Sequence, residues 1–232
     1  MLVALLVKQA AESFSPSLLE IVMAQRHILM GDVIGSSKHD ARHLRREFIG
    51  LVSSCNKKLK HDIISPYTVT LGDEFQGIAT SLHALIEAIF YMEETILRKG
   101  LAFKIRYVTV HGAIDTPINR LKAHTMMGAG LTKARKILTD KSRGEPRFRF
   151  DLPDAYTMNQ LSRLFLVLDG LTRRWDTGDG LLIFDMLANP HNEKVGVMHG
   201  KNRTQIWKRR RHLLIEEYRA LKEAIMELGQ QA

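Results

Sequence analysis

Between residues 26 and 114 the apolar side chains change their spacing in a fixed order, and that order constrains the fold more than any other feature. "RHILMGDVI" reads as a strand of mostly apolar residues, and the stretch from Lys38 to Lys60 then places Leu44, Phe48, Leu51 and Val52 at helical intervals. "YTVTLGDEFQGIAT" supplies two short β-prone runs around Gly72-Asp73, a dipeptide suited to a tight hairpin turn. From Ser81 to Arg98 the residues Leu82, Leu85, Ile86, Ile89 and Phe90 return to helical spacing, Gly100 stops the helix, and "FKIRYVTVHGAI" alternates as a strand. Strand, helix, hairpin, helix, strand predicts a ferredoxin-like α+β sandwich with helices covering one face of the sheet. "GAGLTKARKIL" follows as a further helix and "PRFRFDLP" as a short edge strand.

After Asp154 the pattern becomes mostly helical, with turn signals at Thr177-Gly178, Asn189-Pro190 and Gly200. This divides the chain into an α+β domain over 23–154 and a helical domain over 155–232, and Met23 at the head of "MAQRHILMGD" sets 1–22 apart as an upstream extension. The 232 residues suffice for such an arrangement, and a composition 45% hydrophobic and 25% charged is that of a soluble globular protein. A single cysteine, Cys55, excludes an intrachain disulfide framework, and the ten histidines form neither an HExxH motif nor paired His/Cys spacing. The amino-terminal "MLVALLV" is too short to span a bilayer and no signal-peptide cleavage pattern follows it, so the expectation is a cytoplasmic protein without membrane contact. A formal charge of +9 favours polyanionic partners.

Two aspartates draw attention to the first half. Asp32 ends an apolar strand just before a glycine-serine turn, and Asp73 stands at the tip of the hairpin. In the proposed sandwich both reach one edge of the sheet, where two close carboxylates repel unless a cation lies between them. Oxygen ligands of that kind suit magnesium or manganese, and hence nucleotide phosphates. Glu74 is an alternate ligand that strand alternation turns to the opposite face. A structural reading competes: Asp32 caps the following turn, and Gly72-Asp73 is ordinary hairpin chemistry.

The segments "ILMGDVIGSSK", "SPYTVTLGDEFQG", "KIRYVTVHGAIDT" and "MMGAGLTKARKIL", in this order and spacing, resemble the SatD family of bacterial proteins over about residues 26–230. More remotely they resemble class III nucleotidyl cyclases, and the "GDEF" string is similar to that of diguanylate cyclases. The cyclase resemblance implies that Asp32 and Asp73 hold metal ions, that Gly35, Ser36 and Arg135 contact a nucleoside triphosphate or cyclic nucleotide, and that Arg135 neutralises charge in the transition state. It also marks departures. Leu131 stands where such cyclases carry an asparagine four residues before the arginine, and Val69 replaces an adenine-selecting lysine.

"HNEKVGVMHGKNRTQIWKRRRHLL" is the other informative stretch. Gly196 lets two helices cross closely, Gly200 permits the turn, and Val195 and Ile206 are spaced to seal the crossing, which is helix-turn-helix spacing. Asn202 caps the second helix, whose first turn holds Arg203, Thr204 and Gln205, the positions that reach major-groove edges. Lys201, Lys208, Arg209, Arg210 and Arg211 add positive potential for phosphates, Trp207 packs in the small domain, and His199 and Arg209 stand where the motif usually has apolar residues. SatD-like proteins end in a similar helical segment, so the resemblance favours DNA as a partner. Leu214, Tyr218, Leu221, Ile225 and Leu228 then form an amphipathic stripe that packs on its own domain or pairs a homodimer.

The reading is a DNA-binding regulator whose cyclase-like domain senses a metal-nucleotide. The alternative is a metal-dependent nucleotidyl cyclase or related nucleotide-processing enzyme.

Overall fold

The computed structural model describes residues 25–142 and 144–231, and the expected extension over 1–22 lies outside them. The elements of the first half are β1 (Gln25–Val33), α1 (Ala41–Lys58), β2 (Ile63–Thr70), β3 (Glu74–Ala79), α2 (Leu82–Lys99), β4 (Ile105–Ala113), α3 (Ala129–Thr139) and β5 (Phe148–Asp151). The sheet order is β2-β3-β1-β4-β5; all pairs are antiparallel except β4 with β5. Its first four strands have the ferredoxin-like arrangement expected from the order of periodicities, and β5 is the predicted edge strand.

Local chemistry fixes the ends of the helices. Asp40 and Ser81 accept hydrogen bonds from the backbone N–H groups of His43 (2.8 Å) and Ala84 (3.1 Å), capping α1 and α2. The turn between β2 and β3 is Leu71-Gly72-Asp73, with Leu71 at φ 50° and Gly72 at φ 93°.

Helices cover both faces of the sheet, not one. Leu29, Val33, Phe75 and Tyr107 pack with α1 and α2 on one side, whereas Ile28, Met30, Ile78, Val108 and Val110 pack on the other against Leu131, Ala134 and Leu138 of α3. The physical reason lies in β1, whose residues from Ile28 to Val33 are all buried, as befits a central strand covered on both faces. α3 approaches β4 at Gly112 and Gly130, where a Cβ on Gly112 would come within 2.6 Å of the Gly130 Cα.

The second half contains α4 (Ala155–Thr172), α5 (Gly180–Ala188), α6 (Asn192–Met198), α7 (Arg203–His212) and α8 (Ile215–Gln231). The core does not break at the expected division after residue 154. Leu161, Phe165 and Leu168 of α4 and Tyr218 and Ile225 of α8 join the same cluster as Phe90, Tyr107 and Phe148 of the sheet unit. A smaller core of Leu182, Ile183, Met186, Val195, Ile206, Leu213 and Ile215 holds α5, α6 and α7 together. Leu221 and Leu228 also pack on the main core, so most of the α8 stripe packs within the chain.

Candidate functional site

Asp32 is 2% exposed at the end of β1. The register sets it between Glu74 on β3 and Arg106 on β4, and directly opposed residues share one face of a sheet. That face is the one under α3, since Met30 and Val108, two residues along, pack there. Arg106 Nη1 donates to both Asp32 oxygens at 3.1 and 3.0 Å, and Lys141 Nζ lies 3.2 Å from Oδ2. Arg149 stands nearby on β5, its guanidinium held below the usual value by burial and by the positive charge of Arg106. The Asp32 carboxylate is therefore already compensated.

Asp73 comes to the same end of the sheet, where its carbonyl accepts from the Val33 N–H at 2.9 Å. Its carboxylate forms no hydrogen bond or ion pair among the described residues. Glu74, which alternation from Asp73 turned away, is the acidic residue that shares the Asp32 face.

The resemblance to cyclases implies a divalent metal here, and the residues do not fit one. Both Asp32 oxygens accept from cationic groups, so a dication on the same oxygens would meet Arg106 and Lys141 at a few ångströms. The described residues contain no group of three or more His, Cys, Asp or Glu side chains that could hold an ion.

Gly35, in the left-handed region at φ 68°, leads into a short 3-10 turn at Ser36–Lys38. Arg135 lies on α3, exposed, and its Nη2 donates to Oε1 of buried Gln76 at 3.1 Å, while Gln76 Nε2 donates to the Ala123 carbonyl at 2.8 Å. Gln76 is paired with Met30, so Arg135 reaches the Asp32 face two strand positions from Asp32, roughly 7 Å along the strand. Leu131, at the position where cyclases carry asparagine, is 6% exposed and packs into the sheet. Burial pushes the Cys55 thiol up to about 12, as suits an inert apolar residue.

The helical unit has the expected turn. A Cβ on Gly196 would run into the Lys201 carbonyl, Gly200 sits at φ 61°, and Asn202 and Gln205 form a reciprocal capping box at 2.9 Å in each direction. Val195 and Ile206 are both fully buried beneath the crossing. The two polar residues at normally apolar positions are paired: His199 Nε2 lies 2.8 Å from Asp185, and Arg209 bonds Asp179.

The candidate DNA contacts divide. Lys201, Asn202, Arg203, Thr204, Gln205 and Lys208 are exposed, as is Arg211. Arg210 is not available to a partner. It is 5% exposed and donates to the carbonyls of Met186 (2.8 Å) and Asn189 (2.7 Å) and to Asn192 Oδ1 (2.9 Å), tying the end of α5 to α6. Arg209 is half-buried and held by Asp179. Trp207, expected to pack inside, is 54% exposed. Trp175 takes the interior role instead, donating to the Leu213 carbonyl at 2.9 Å. Helical rotation gave the signal for Trp207: Arg203 and Arg211 are four residues on either side, so it shares their face, whereas Arg210 is four after Ile206 and shares the buried one.

Comparison with protein families matches residues 27–195 to the SatD family. The chain belongs to the SatD family. The match spans the sheet and the helices through Val195 of α6, and α7 follows it. Among solved structures, two of a bacterial light-regulated adenylyl cyclase are similar. The first gives a TM-score of 0.40 at 14% identity, covering 60% of this chain and 46% of that one. The second gives a TM-score of 0.39 at 13% identity, covering 63% and 49%. This SatD-family chain thus spans about half the length of those proteins. No curated protein matches it in sequence. No helix among the described residues is long and apolar enough to cross a membrane.

Proposed function

We propose that this SatD-family protein is a cytoplasmic DNA-binding regulator that engages a duplex through α7. The observation that carries the reading is the face formed by Arg203, Thr204, Trp207, Lys208 and Arg211. It is exposed, and its three cations make no ion pair among the described residues although Arg209 and Arg210 beside them are both paired. A helix held this way by a capped turn and a small core presents its first turn to base edges and its later cations to phosphates. Trp207 adds a flat apolar surface between cations, suited to sugars and to thymine methyl groups.

The test is selection of bound duplexes from fragments of the source genome, followed by footprinting. Enrichment of a shared sequence that is lost in Arg203→Ala supports base reading by α7. Uniform retention of all fragments would reduce the function to non-specific binding, and no retention would remove it.

A second reading places a nucleotide in the α+β unit, favoured by an open groove beside Gln76 and Arg135 that is also lined by His124, Lys133 and Lys136. Phosphates there would rest on cationic side chains directly. Thermal unfolding with each common nucleoside triphosphate in the presence of a chelator tests it: a rise in melting temperature that disappears in Arg135→Ala is the expected result. Cyclisation is not part of this reading, because Leu131 is buried at the asparagine position and the Asp32 carboxylate is compensated by Arg106 and Lys141.

A further inference from the structure

A cavity of about 140 Å³ lies where the sheet unit meets the helical one. Its apolar walls are Leu97 of α2, Leu101 and Phe103 before β4, Leu168 of α4, Trp175, and Tyr218 of α8, and Gly180 at the start of α5 closes one side. One wall is polar and built around Arg147, which is 9% exposed. Arg147 Nε donates to Asp169 at 3.0 Å, and Nη1 donates to both Glu93 oxygens at 2.9 Å and to the Ile105 carbonyl at 3.1 Å. Nη2 takes part in no hydrogen bond among the described residues, so the guanidinium that lines the cavity keeps donor capacity there. Glu93 also accepts from the Tyr107 hydroxyl at 2.9 Å, so its orientation is fixed from two sides.

We propose that this cavity is a binding site for a small uncharged ring compound carrying one oxygen that accepts a hydrogen bond from Arg147. The size follows from the volume, since a cavity of about 150 Å³ with apolar walls accommodates benzene. The absence of charge follows from the lining, in which carboxylates and cations are both present: an anion would face Glu93 and Asp176, and a cation would face Arg147 and Lys104. The single acceptor follows from Nη2. An occupant would touch α2 and α4 of the main core together with Gly180 at the start of α5, the helix that carries Leu182, Ile183 and Met186 of the smaller core, so it would stiffen the junction between them. The proposal does not rest on DNA binding.

Benzyl alcohol is the probe, and the two tryptophan indole N–H signals in a ¹H–¹⁵N spectrum of the full chain are the readout. Trp175 lines the cavity, whereas Trp207 is exposed and serves as an internal control. A saturable shift of the Trp175 signal at about millimolar probe or below, with Trp207 unmoved, is expected. Benzoate and benzylamine should give no saturable shift. Leu101→Phe and Leu168→Phe fill the cavity from different elements, and whichever keeps the wild-type spectrum should weaken binding at least about tenfold. No saturable shift in the wild-type chain, or undiminished binding in a folded filled variant, overturns the site; equal binding of benzoate overturns its assignment to uncharged compounds. Loss of DNA binding with the Trp175 response intact would leave this site standing and remove only the proposed function of α7.

Discussion

The Asp32 end of the sheet and the outer face of α7 are both dense in charge, and they differ in where that charge goes. At Asp32 the cations close on a buried carboxylate from within the chain, Arg106 at 3.0 Å and Lys141 at 3.2 Å. On α7, Arg203, Lys208 and Arg211 project into solvent, and the arginine that does turn inward, Arg210, serves to hold α5 and α6. A charged side chain that is fully bonded by its own fold contributes to uniqueness of structure, and one left without a partner is the one that can recognise something else.

Arg210→Ala removes a buried cation that satisfies several carbonyl groups, so urea unfolding should show a loss of about 3–5 kcal/mol. Arg211→Ala, one residue on, should change stability by less than about 0.5 kcal/mol. Similar losses for the two would erase the distinction between inward and outward arginines on α7. Next, Asp32→Asn should cost about 2–4 kcal/mol at neutral pH, because Arg106 is left half-buried without its counter-charge. Asp32→Asn combined with Arg106→Met should recover part of that loss. Manganese added to the wild-type chain should leave the melting temperature unchanged, and a saturable rise that requires Asp32 would restore the paired-carboxylate metal site.

The smallest effect concerns a histidine at the other end of β1 from Asp32. His27 and His111 face each other across β1 and β4, ring centroids 4.6 Å apart, and burial together with the neighbouring imidazole lowers His27 to about 4. Because the folded value lies below the ordinary 6.5, the unfolded chain takes up its proton first as the pH falls. The associated stability is present at neutral pH and is lost between about 6.5 and 4. An NMR titration should place the His27 ring transition near 4, and His111→Asn should raise it only modestly, since burial is the larger cause. A His27 transition at 6.5 would contradict the packing of this pair.

The fold was legible where the pattern is local. Alternation and helical spacing located β1, the hairpin, α1, α2 and β4, and Gly196 with Gly200 located the turn before α7. What stayed hidden depends on pairing between distant segments. Asp32 meets Arg106 only because β1 lies beside β4 in a specific register, and nothing in "ILMGDVI" announces a partner 74 residues away. The covering of the second sheet face by α3 was hidden for the same reason, although the unbroken burial of β1 corresponds to a run in the sequence that is apolar apart from Asp32. Arg210 and Trp207 were a different kind of error. Each could have been placed by counting rotation from Ile206, but the basic run was read as one patch rather than as two faces of a helix.

The proposed duplex contact is the cationic outer face of α7. The most direct test is the salt dependence of duplex affinity, measured by fluorescence anisotropy for the wild-type chain and for Arg203→Ala/Lys208→Ala/Arg211→Ala. Each phosphate contact contributes about −0.9 to the slope of log affinity against log salt, so the triple variant, which removes the two phosphate-facing cations Lys208 and Arg211 together with Arg203, should bind more weakly and its slope should be shallower by about 2. An unchanged slope and affinity in a folded triple variant would contradict the claim and move any polyanion contact to another face of the protein.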